Sequence, residues 1–355
     1  MRQDMSRRRF LVATVGAAAA AATTATAAQA GAGGAETMKA KDTMKIGLYS
    51  ITYLGIWYKG EAVRLRDVMR FAKKEGWEGI EFDTKRPHAA PMDLSEDERK
   101  ELRDLAGELD LPISAVSPNS DLSSPVPEQR EAMICYVREC IKLARDVGSP
   151  ICKIFAAWPG VAVRDGLGDY KYTRGIGDPF PDWAGERWGF VRDALKELAK
   201  FAEDQGIVLA LQNHGPVVRN YKDVLAFIEQ VDSAAFKACM DIPCEGQKAG
   251  SAEWARNVVR ETGPLMVHSH YNGEFRRRAG RTAGQIELAG SRKVAYAAFV
   301  DALVESGYNG FMNWEFCHPA MEGGQRAGIE YVHKHTRMAL EFMKQLRADA
   351  VARRS

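Results

Sequence analysis

The chain has 355 residues, 46% of them hydrophobic and 27% charged, with a formal net charge of only +2 at pH 7. A nucleic-acid-binding protein would show a basic patch or stripe, so the near-neutral charge argues against that class of partner. The length allows one large domain or two small ones.

The N-terminal residues have the features of an export signal. Adjacent arginines in Ser6–Leu11 precede an alanine-rich, weakly apolar stretch and the small-residue run Ala27–Ala30. This order is typical of a secretory signal, and the paired arginines place it in the twin-arginine class. The alternative is an uncleaved membrane anchor, but alanine is a poor membrane residue and the stretch is short for a span. We therefore expect a twin-arginine signal peptide over residues 1–30, a linker over 31–42, and no stable membrane span. The twin-arginine export machinery would deliver the protein to the periplasm or the outside of the cell.

Short apolar runs alternate with helical patterns from Met44 onward. The runs show little period-2 polarity, which is typical of strands covered on both faces. Predicted strands are Lys45–Ser50, Gly79–Thr84, Pro112–Ser117, Ile151–Ala156, Ile207–Gln212, Lys237–Asp241, Leu265–His270 and Gly310–Glu315. Predicted helices are 62–74, 96–109, 129–147, 187–205, 221–230, 252–261, 293–306 and a long helix after Gly324.

Eight strands, each followed by a helix, predict a (β/α)8 TIM barrel in a single domain, residues 43–348, with a basic tail at 349–355. A doubly wound open sheet is the alternative, but it usually has fewer strands and a Gly-rich first turn, and Ser50–Tyr53 is no phosphate loop. The longest loop, Ala157–Gly185, follows the fourth strand and contains Trp158 among several aromatic residues. A loop of this length is typical of a lid. Its aromatic rings could stack on a sugar or pack the lid onto the barrel.

Six cysteines in an exported protein invite a disulfide interpretation. However, Cys152, Cys239 and Cys317 fall in or beside predicted buried strands, and Cys135 and Cys140 lie on different faces of one predicted helix. A buried thiol behaves as a small apolar residue, which is our expectation for most of them.

The last four predicted strands each end on a polar residue that could bind a metal: Gln212, Asp241, His270 and Glu315. The C-terminal strand ends of an α/β barrel carry its chemistry. Oxygen and imidazole ligands suit manganese, magnesium, cobalt or zinc. The alternative is that each residue separately satisfies a buried network at the barrel mouth.

Several runs resemble the xylose-isomerase-like barrel superfamily, which includes sugar-phosphate isomerases and epimerases, ketohexose 3-epimerases, inosose dehydratases and hydroxypyruvate isomerases. They are Leu209–Gly215, Met240–Cys244, Val267–His270 and Gly310–Glu315, together with Gly79–Glu81 and Gly307–Tyr308. The resemblance covers the whole chain after the signal and implies a divalent metal, with manganese the first choice. It also implies the ligand set Gln212, Asp241, His270 and Glu315. Strand alternation places His268 on the same side as His270, which lies nearer the mouth.

Two residues depart from the family pattern. Gln212 stands where the family has a glutamate, and an amide brings no charge and cannot shuttle a proton. Cys244 stands where ketohexose epimerases commonly have a histidine. Arg276, by contrast, matches a substrate-contacting arginine of those enzymes. Because Glu315 alone remains of the usual pair of glutamates, symmetric two-base epimerisation is disfavoured and a one-base reaction is expected.

The remaining roles follow from this resemblance and from position. Glu315 is the expected base, and Lys153 and His214 are candidate second proton-transfer groups; His214 matches a residue common in the inosose dehydratase branch. Lys153 could equally form a salt bridge with Glu81. Expected substrate-binding residues are Arg276, Trp158, Glu81 and His268.

We expect a divalent-metal-dependent sugar isomerase- or epimerase-like enzyme that removes a proton next to a carbonyl. Its substrate would be an unphosphorylated sugar or keto-sugar, since no Gly-rich phosphate cradle follows strands seven or eight. A lyase, dehydratase or hydrolase acting on 3-keto glycosides is one alternative. A non-catalytic carbohydrate-binding former enzyme is the other. Assembly into a homo-oligomer is compatible with the sequence.

Overall fold

The apolar runs form the strands of a closed parallel barrel in the computed structural model, which describes residues 43–170, 181–279 and 285–354. The strands are β1 (Lys45–Tyr49), β2 (Gly79–Asp83), β3 (Ile113–Ser117), β4 (Ile151–Ile154), β5 (Val208–Gln212), β6 (Phe236–Asp241), β7 (Met266–Asn272) and β8 (Phe311–Glu315). Each strand pairs in parallel with the next, and β8 pairs with β1 to close the barrel. Most of their residues are buried, which explains why the runs are continuously apolar.

A helix follows each strand and covers the barrel. The helices are α1 (Leu65–Glu75), α2 (Glu96–Glu108), α3 (Pro127–Val147), α4 (Arg187–Asp204), α5 (Tyr221–Val231), α6 (Ala252–Thr262), α7 (Tyr296–Glu305) and α8 (Ile329–Ala352). Ser95 and Glu98 form a capping box that starts α2. Gly76 and Gly148 end α1 and α3 in the left-handed conformation that glycine adopts without strain. The predicted TIM barrel is therefore confirmed.

The structure differs from the sequence prediction mainly in the loops. Short two-stranded hairpins lie in the loops after β4, β7 and β8, where the sequence analysis predicts no strands. They pair Ala162–Arg164 with Leu167–Asp169, Phe275–Arg277 with Ile286–Leu288, and Met321–Glu322 with Gln325–Arg326. Strands of two or three residues are too short to produce a visible periodicity.

Helix α8 continues to Ala352, so it includes the first residues of the predicted basic tail. The predicted signal peptide and linker lie outside the described residues, as do residues 171–180 of the loop after β4. Within the described ranges, no helix combines the length and the apolarity that crossing a membrane requires.

A polar layer lies inside the barrel, where strands β1 and β8 meet. Asn313 of β8 points inward, and a Cβ atom at Gly47 of β1 would come within 1.9 Å of its Oδ1 atom. Glycine is therefore required at position 47 so that the asparagine can enter the barrel. The Nδ2 group of Asn313 donates hydrogen bonds to Glu81 of β2 and Ser114 of β3, each at 2.8 Å. This polar layer supports the residues at the C-terminal ends of the strands.

His335 of α8 holds the beginning of the hairpin after β7. Its Nδ1 atom accepts a hydrogen bond from the backbone N–H of Phe275 at 3.1 Å, and the residue is only 4% exposed. Burial lowers the pKa of His335 from 6.5 to about 4. The imidazole is therefore neutral at pH 7, as its role as a hydrogen-bond acceptor requires.

The hydrogen bond accepted by neutral His335 predicts that the stability of the protein depends on pH. Between about pH 4 and 6.5 the unfolded chain binds more protons at His335 than the folded chain does, so the free energy of unfolding rises with pH there. The contribution of neutral His335 is fully present above about pH 6.5 and is lost as the pH falls towards 4. We expect His335→Gln to show a weaker pH dependence than the wild type in chemical denaturation across this window. Equal pH dependence of the two proteins would contradict the assignment.

Candidate metal centre and active site

A cavity of about 610 Å³ opens at the C-terminal end of the barrel strands. Its wall comes from the ends of β6, β7 and β8 and from the loops that follow β4 to β8. The ionisable side chains on it include His214, Asp241, Glu274, Arg292, Glu315 and His318. The cavity therefore lies where parallel barrels place their chemistry.

The four sequence-predicted metal ligands lie on adjacent strands at this end. Gln212, Asp241 and Glu315 are the last residues of β5, β6 and β8, and His270 lies in β7, two residues before its end. The Nε2 group of Gln212 donates to Oδ2 of Asp241 at 3.3 Å. The Nδ1 atom of His270 lies 3.8 Å from Oε2 of Glu315. The structure thus brings these four side chains into one group.

Three atoms of this group are buried and lack a hydrogen-bond partner among the described residues: Oε1 of Gln212, Oδ1 of Asp241 and Nδ1 of His270. The three residues are at most 2% exposed. Leaving a buried acceptor unpaired costs roughly 1–3 kcal/mol, so such atoms in a native protein need an explanation. Two oxygens and one imidazole nitrogen are ordinary ligands of a divalent cation. The residues present therefore fit the metal that the sequence resemblance implies.

Asp241 adds an electrostatic reason for a cation. Burial, followed by the negative charge of Glu315, raises the pKa of Asp241 to about 6. The Sγ–H group of Cys244 donates to Oδ2 of Asp241 at 3.0 Å. Burial and then the Asp241 charge raise the pKa of Cys244 well above its ordinary value, so this thiol keeps its proton without a metal. A bound cation would stabilise the ionised form of Asp241.

Glu81 of β2 lies beneath His270 and fixes its orientation. The Oε2 atom of Glu81 accepts hydrogen bonds from Nε2 of His270 at 2.7 Å and from Nε2 of His268 at 2.9 Å. Burial alone would raise the pKa of Glu81, but the imidazoles of His270 and His268 hold it well below its usual value. An ionised carboxylate at this position selects the tautomer of His270 with a proton on Nε2, which leaves the lone pair of Nδ1 for a metal.

Glu81, His268 and His270 also form a second possible metal site. One ligand atom from each lies within 4.8 Å of the others, and all three residues are fully buried. Nitrogen and oxygen ligands on one tetrahedral zinc ion would be about 3.4 Å apart, given bond lengths of about 2.0–2.2 Å. The observed separations of 2.7 and 2.9 Å fit hydrogen bonds better. This second possible site and the group of Gln212, Asp241, His270 and Glu315 have only His270 in common.

This arrangement gives Glu81 and His268 a different place from the one expected. Both residues are expected from the sequence to bind substrate, but both are buried beneath His270, and their hydrogen bonds are to each other and to barrel residues. Their positions suit orienting His270 rather than touching a substrate. Glu81 does not reach a substrate because its side chain points from β2 into the barrel and not towards the barrel mouth.

Lys153 and His214 occupy different environments. Lys153 is fully buried, with Nζ 3.9 Å from Oε1 of Glu81 and 4.1 Å from the ring centre of Phe155. The salt bridge considered from the sequence is therefore present. His214 lines the cavity instead, and its ring packs against Trp158 with the ring centres 4.6 Å apart. His214 is the better placed of the two to reach a substrate.

The arginines near the cavity also differ from expectation. Arg276 lies on the hairpin after β7 with 67% of its side chain exposed, and its Nε pairs with Glu287 at 2.9 Å. Arg292 lines the cavity and donates to the backbone carbonyl of Pro243. Arg292 could not be identified from the sequence, because no residue pattern in its loop marks it. Asn313, also missed, could have been found by counting back two residues from Glu315 to the same face of β8.

Comparison with known proteins agrees with this architecture. Residues 69–345 match the family model described as the xylose isomerase-like TIM barrel. The fructoselysine 3-epimerase of Shigella flexneri is 24% identical over 281 residues, which cover 77% of this chain and 90% of that protein.

Two solved structures share the fold. A D-psicose 3-epimerase, crystallised in the presence of D-fructose, superposes with a TM-score of 0.65 at 17% identity, covering 86% of this chain and 99% of that one. The 3-keto-D-glucoside 4-epimerase of E. coli superposes with a TM-score of 0.59 at 16% identity, covering 84% and 99%. The unpaired buried ligand atoms of Gln212, Asp241 and His270 support a divalent-metal site of unassigned metal. The chain therefore belongs to the xylose isomerase-like TIM-barrel family and is an isomerase- or epimerase-like enzyme.

Proposed function

We propose that this protein is a metal-dependent enzyme that moves a proton at the carbon next to the carbonyl of an unphosphorylated sugar or keto-sugar. The observation that carries the proposal is the set of unpaired buried atoms on Gln212, Asp241 and His270 beside Glu315, at the base of a cavity large enough for a sugar. These four residues would hold the ion. A divalent ion bound there would polarise the substrate carbonyl and stabilise the negative charge that develops on its oxygen.

Glu315 is the proposed base. Its side chain is 11% exposed and lines the cavity, so it can meet a substrate while staying in contact with His270 and Cys317. The Sγ–H group of Cys317 donates to Oε1 of Glu315 at 3.4 Å, whereas the Oε2 atom faces His270. A carboxylate within hydrogen-bond reach of the substrate can remove the proton and return it.

Gln212 limits the reaction to one carboxylate base. Its neutral amide cannot accept a proton at the position opposite Glu315. His214, on the cavity wall beyond β5, is the proposed second proton-transfer group, and Lys153 is too deeply buried to touch a sugar in this geometry. One-base chemistry suits aldose–ketose isomerisation, and it also suits elimination from a 3-keto glycoside, the second candidate function.

The cavity wall argues against a phosphorylated substrate. Asp241, Glu274 and Glu315 lie on it with Arg292, so acidic side chains face any ligand that enters. Arg292 is the one arginine or lysine among the described residues of the wall, so the wall offers a phosphate no cluster of cations beyond a bound metal, whereas sugar hydroxyls can donate hydrogen bonds to the carboxylates. Export through the predicted twin-arginine signal, which we retain as part of the proposal, would place the enzyme where unphosphorylated sugars are found.

The first prediction separates the two possible metal sites. We expect Asp241→Asn to lose the bound metal, because it removes an anionic ligand. Glu81→Gln should keep the metal but bind it about 10- to 100-fold more weakly, as is typical for loss of a residue that orients a ligand. Metal content and affinity would be measured by inductively coupled plasma mass spectrometry and competition with a chelator. Loss of metal in Glu81→Gln with full retention in Asp241→Asn would instead assign the ion to Glu81, His268 and His270.

The second prediction concerns the negative charge that is absent because residue 212 is a glutamine and not a glutamate. We expect Gln212→Glu to bind the divalent ion about tenfold more tightly, equivalent to roughly 1.4 kcal/mol. Without metal, the same variant should be less stable than the wild type, because a third carboxylate joins Asp241 and Glu315 and the Nε2 donor to Asp241 is lost.

Gln205→Glu is the matched control, since it makes the same chemical change outside the cavity, where Gln205 pairs with Arg145. Calorimetric titration and thermal unfolding would measure both effects. Unchanged metal affinity in Gln212→Glu would show that position 212 is not a ligand.

The third prediction tests proton abstraction. Metal-loaded wild type should incorporate solvent deuterium next to the carbonyl of at least one sugar in a panel of free ketoses, aldoses and 3-keto glycosides. Glu315→Gln should slow that exchange at least about 100-fold, the usual contribution of an acid–base group. Glu322→Gln, on the exposed hairpin after β8, is the control.

Mass spectrometry would detect the label, and the metal content of each variant would be measured in parallel, since Glu315 is also a proposed ligand. Absence of label with every sugar, in protein that retains its metal, would favour a non-catalytic carbohydrate-binding protein.

A further inference from the structure

Two cysteines lie beside the carboxylates of the metal centre. Cys244 is three residues beyond Asp241, and Cys317 is two residues beyond Glu315. Both are half-buried and both line the same cavity as those carboxylates. The other cysteines are elsewhere: Cys140, Cys152 and Cys239 are packed in hydrophobic clusters, and Cys135 is exposed on α3.

Each thiol contacts one of the proposed ligands. The Sγ atom of Cys244 lies 3.0 Å from Oδ2 of Asp241, and the Sγ atom of Cys317 lies 3.4 Å from Oε1 of Glu315. In each pair the two atoms are at S–H···O hydrogen-bond distance. Sulfur and oxygen ligands of one ion would be about 3.6 Å apart in tetrahedral geometry and about 3.1 Å apart at right angles in six-coordinate geometry, given bond lengths of about 2.3 and 2.1 Å. Small side-chain movements on loss of the S–H proton would therefore let sulfur and carboxylate bind the same ion.

The unpaired buried atoms of the metal centre are independent evidence that it binds a ligand. Oε1 of Gln212, Oδ1 of Asp241 and Nδ1 of His270 are buried without a hydrogen-bond partner among the described residues. Gln212 supplies no charge to an ion. A thiolate would supply one, and it would favour ions with an affinity for sulfur.

We propose that Cys244 and Cys317 supply sulfur ligands to the metal centre, so that it takes zinc or cobalt in preference to manganese or magnesium. Each metal–sulfur bond forms as the S–H proton passes to solvent, with no change in oxidation state. The inference rests on the metal site of the proposed function and adds to it the class of metal and two further ligands.

The test is cobalt(II) spectroscopy on the purified protein. Wild type loaded with cobalt should show both the visible d–d bands of a bound ion and a near-ultraviolet sulfur-to-cobalt charge-transfer band. Cys244→Ser and Cys317→Ser should each weaken the charge-transfer band, and the double variant should abolish it. Cys135→Ser, a matched change at an exposed cysteine, should leave the band intact. Loss of affinity alone would not decide the question, because a residue that only orients a ligand also costs about 10- to 100-fold.

The outcomes separate this inference from the proposed function. Visible d–d bands without a charge-transfer band would show that the thiols only donate hydrogen bonds to Asp241 and Glu315, which overturns the inference and leaves the metal site standing. Failure to bind cobalt, zinc or manganese would overturn both.

A second measurement needs no variant and so is independent of folding defects. X-ray absorption of the zinc-loaded wild type should show a zinc–sulfur shell at about 2.3 Å. A first shell of nitrogen and oxygen alone would overturn the inference. In competition, the preference for zinc over manganese should be larger in the wild type than in the Cys244→Ser/Cys317→Ser double variant, because sites of nitrogen and oxygen alone already favour zinc. An equal preference in the two proteins would count against the inference.

Discussion

The organisation of the site depends on the Glu81 carboxylate at the centre of the barrel. Its Oε2 atom accepts hydrogen bonds from His270, His268 and Asn313, which lie on β7 and β8 across from β2. A buried carboxylate is costly unless it is paired and hydrogen-bonded, and here several donors converge on it. The same contacts fix which nitrogen of His270 faces the metal centre. The buried charge of Glu81 therefore both joins β2 to β7 and β8 inside the barrel and orients His270 as a metal ligand.

A second constraint is the balance of charge around the centre. Asp241 and Glu315 are close enough for the charge of one to raise the pKa of the other, and Gln212 adds none. The usual second glutamate would strengthen the repulsion in the metal-free protein and would supply another base. Its replacement by an amide keeps an oxygen in place while it removes a proton acceptor. On our proposal, Cys244 and Cys317 would supply two thiolate charges when a metal binds, one more than the amide removes. We propose that such a site carries out one-base proton transfer and not symmetric epimerisation.

Much of the fold and of the candidate site could be predicted from the sequence, for identifiable physical reasons. Strands buried on both faces give continuous apolar runs, and glycine ends helices, so β1–β8 and the ends of α1 and α3 were visible. The residues that close the last four runs had to meet, because parallel strands bring their C-terminal ends to one side. The remaining features could not be seen in this way. Glu81 turns inward at a register shift in β2, which no residue pattern marks, and the loop holding Arg292 has no periodicity.

The most direct test of the account is anomalous X-ray diffraction from crystals of the metal-loaded protein, recorded at the absorption edge of the ion. The account predicts a peak within bonding distance of Oδ1 of Asp241, Nδ1 of His270 and Oε1 of Gln212, with Glu81 still hydrogen-bonded to Nε2 of His270. A peak located between Glu81 and the Nε2 atoms of His268 and His270 would contradict it, as would the absence of any peak at the cavity floor.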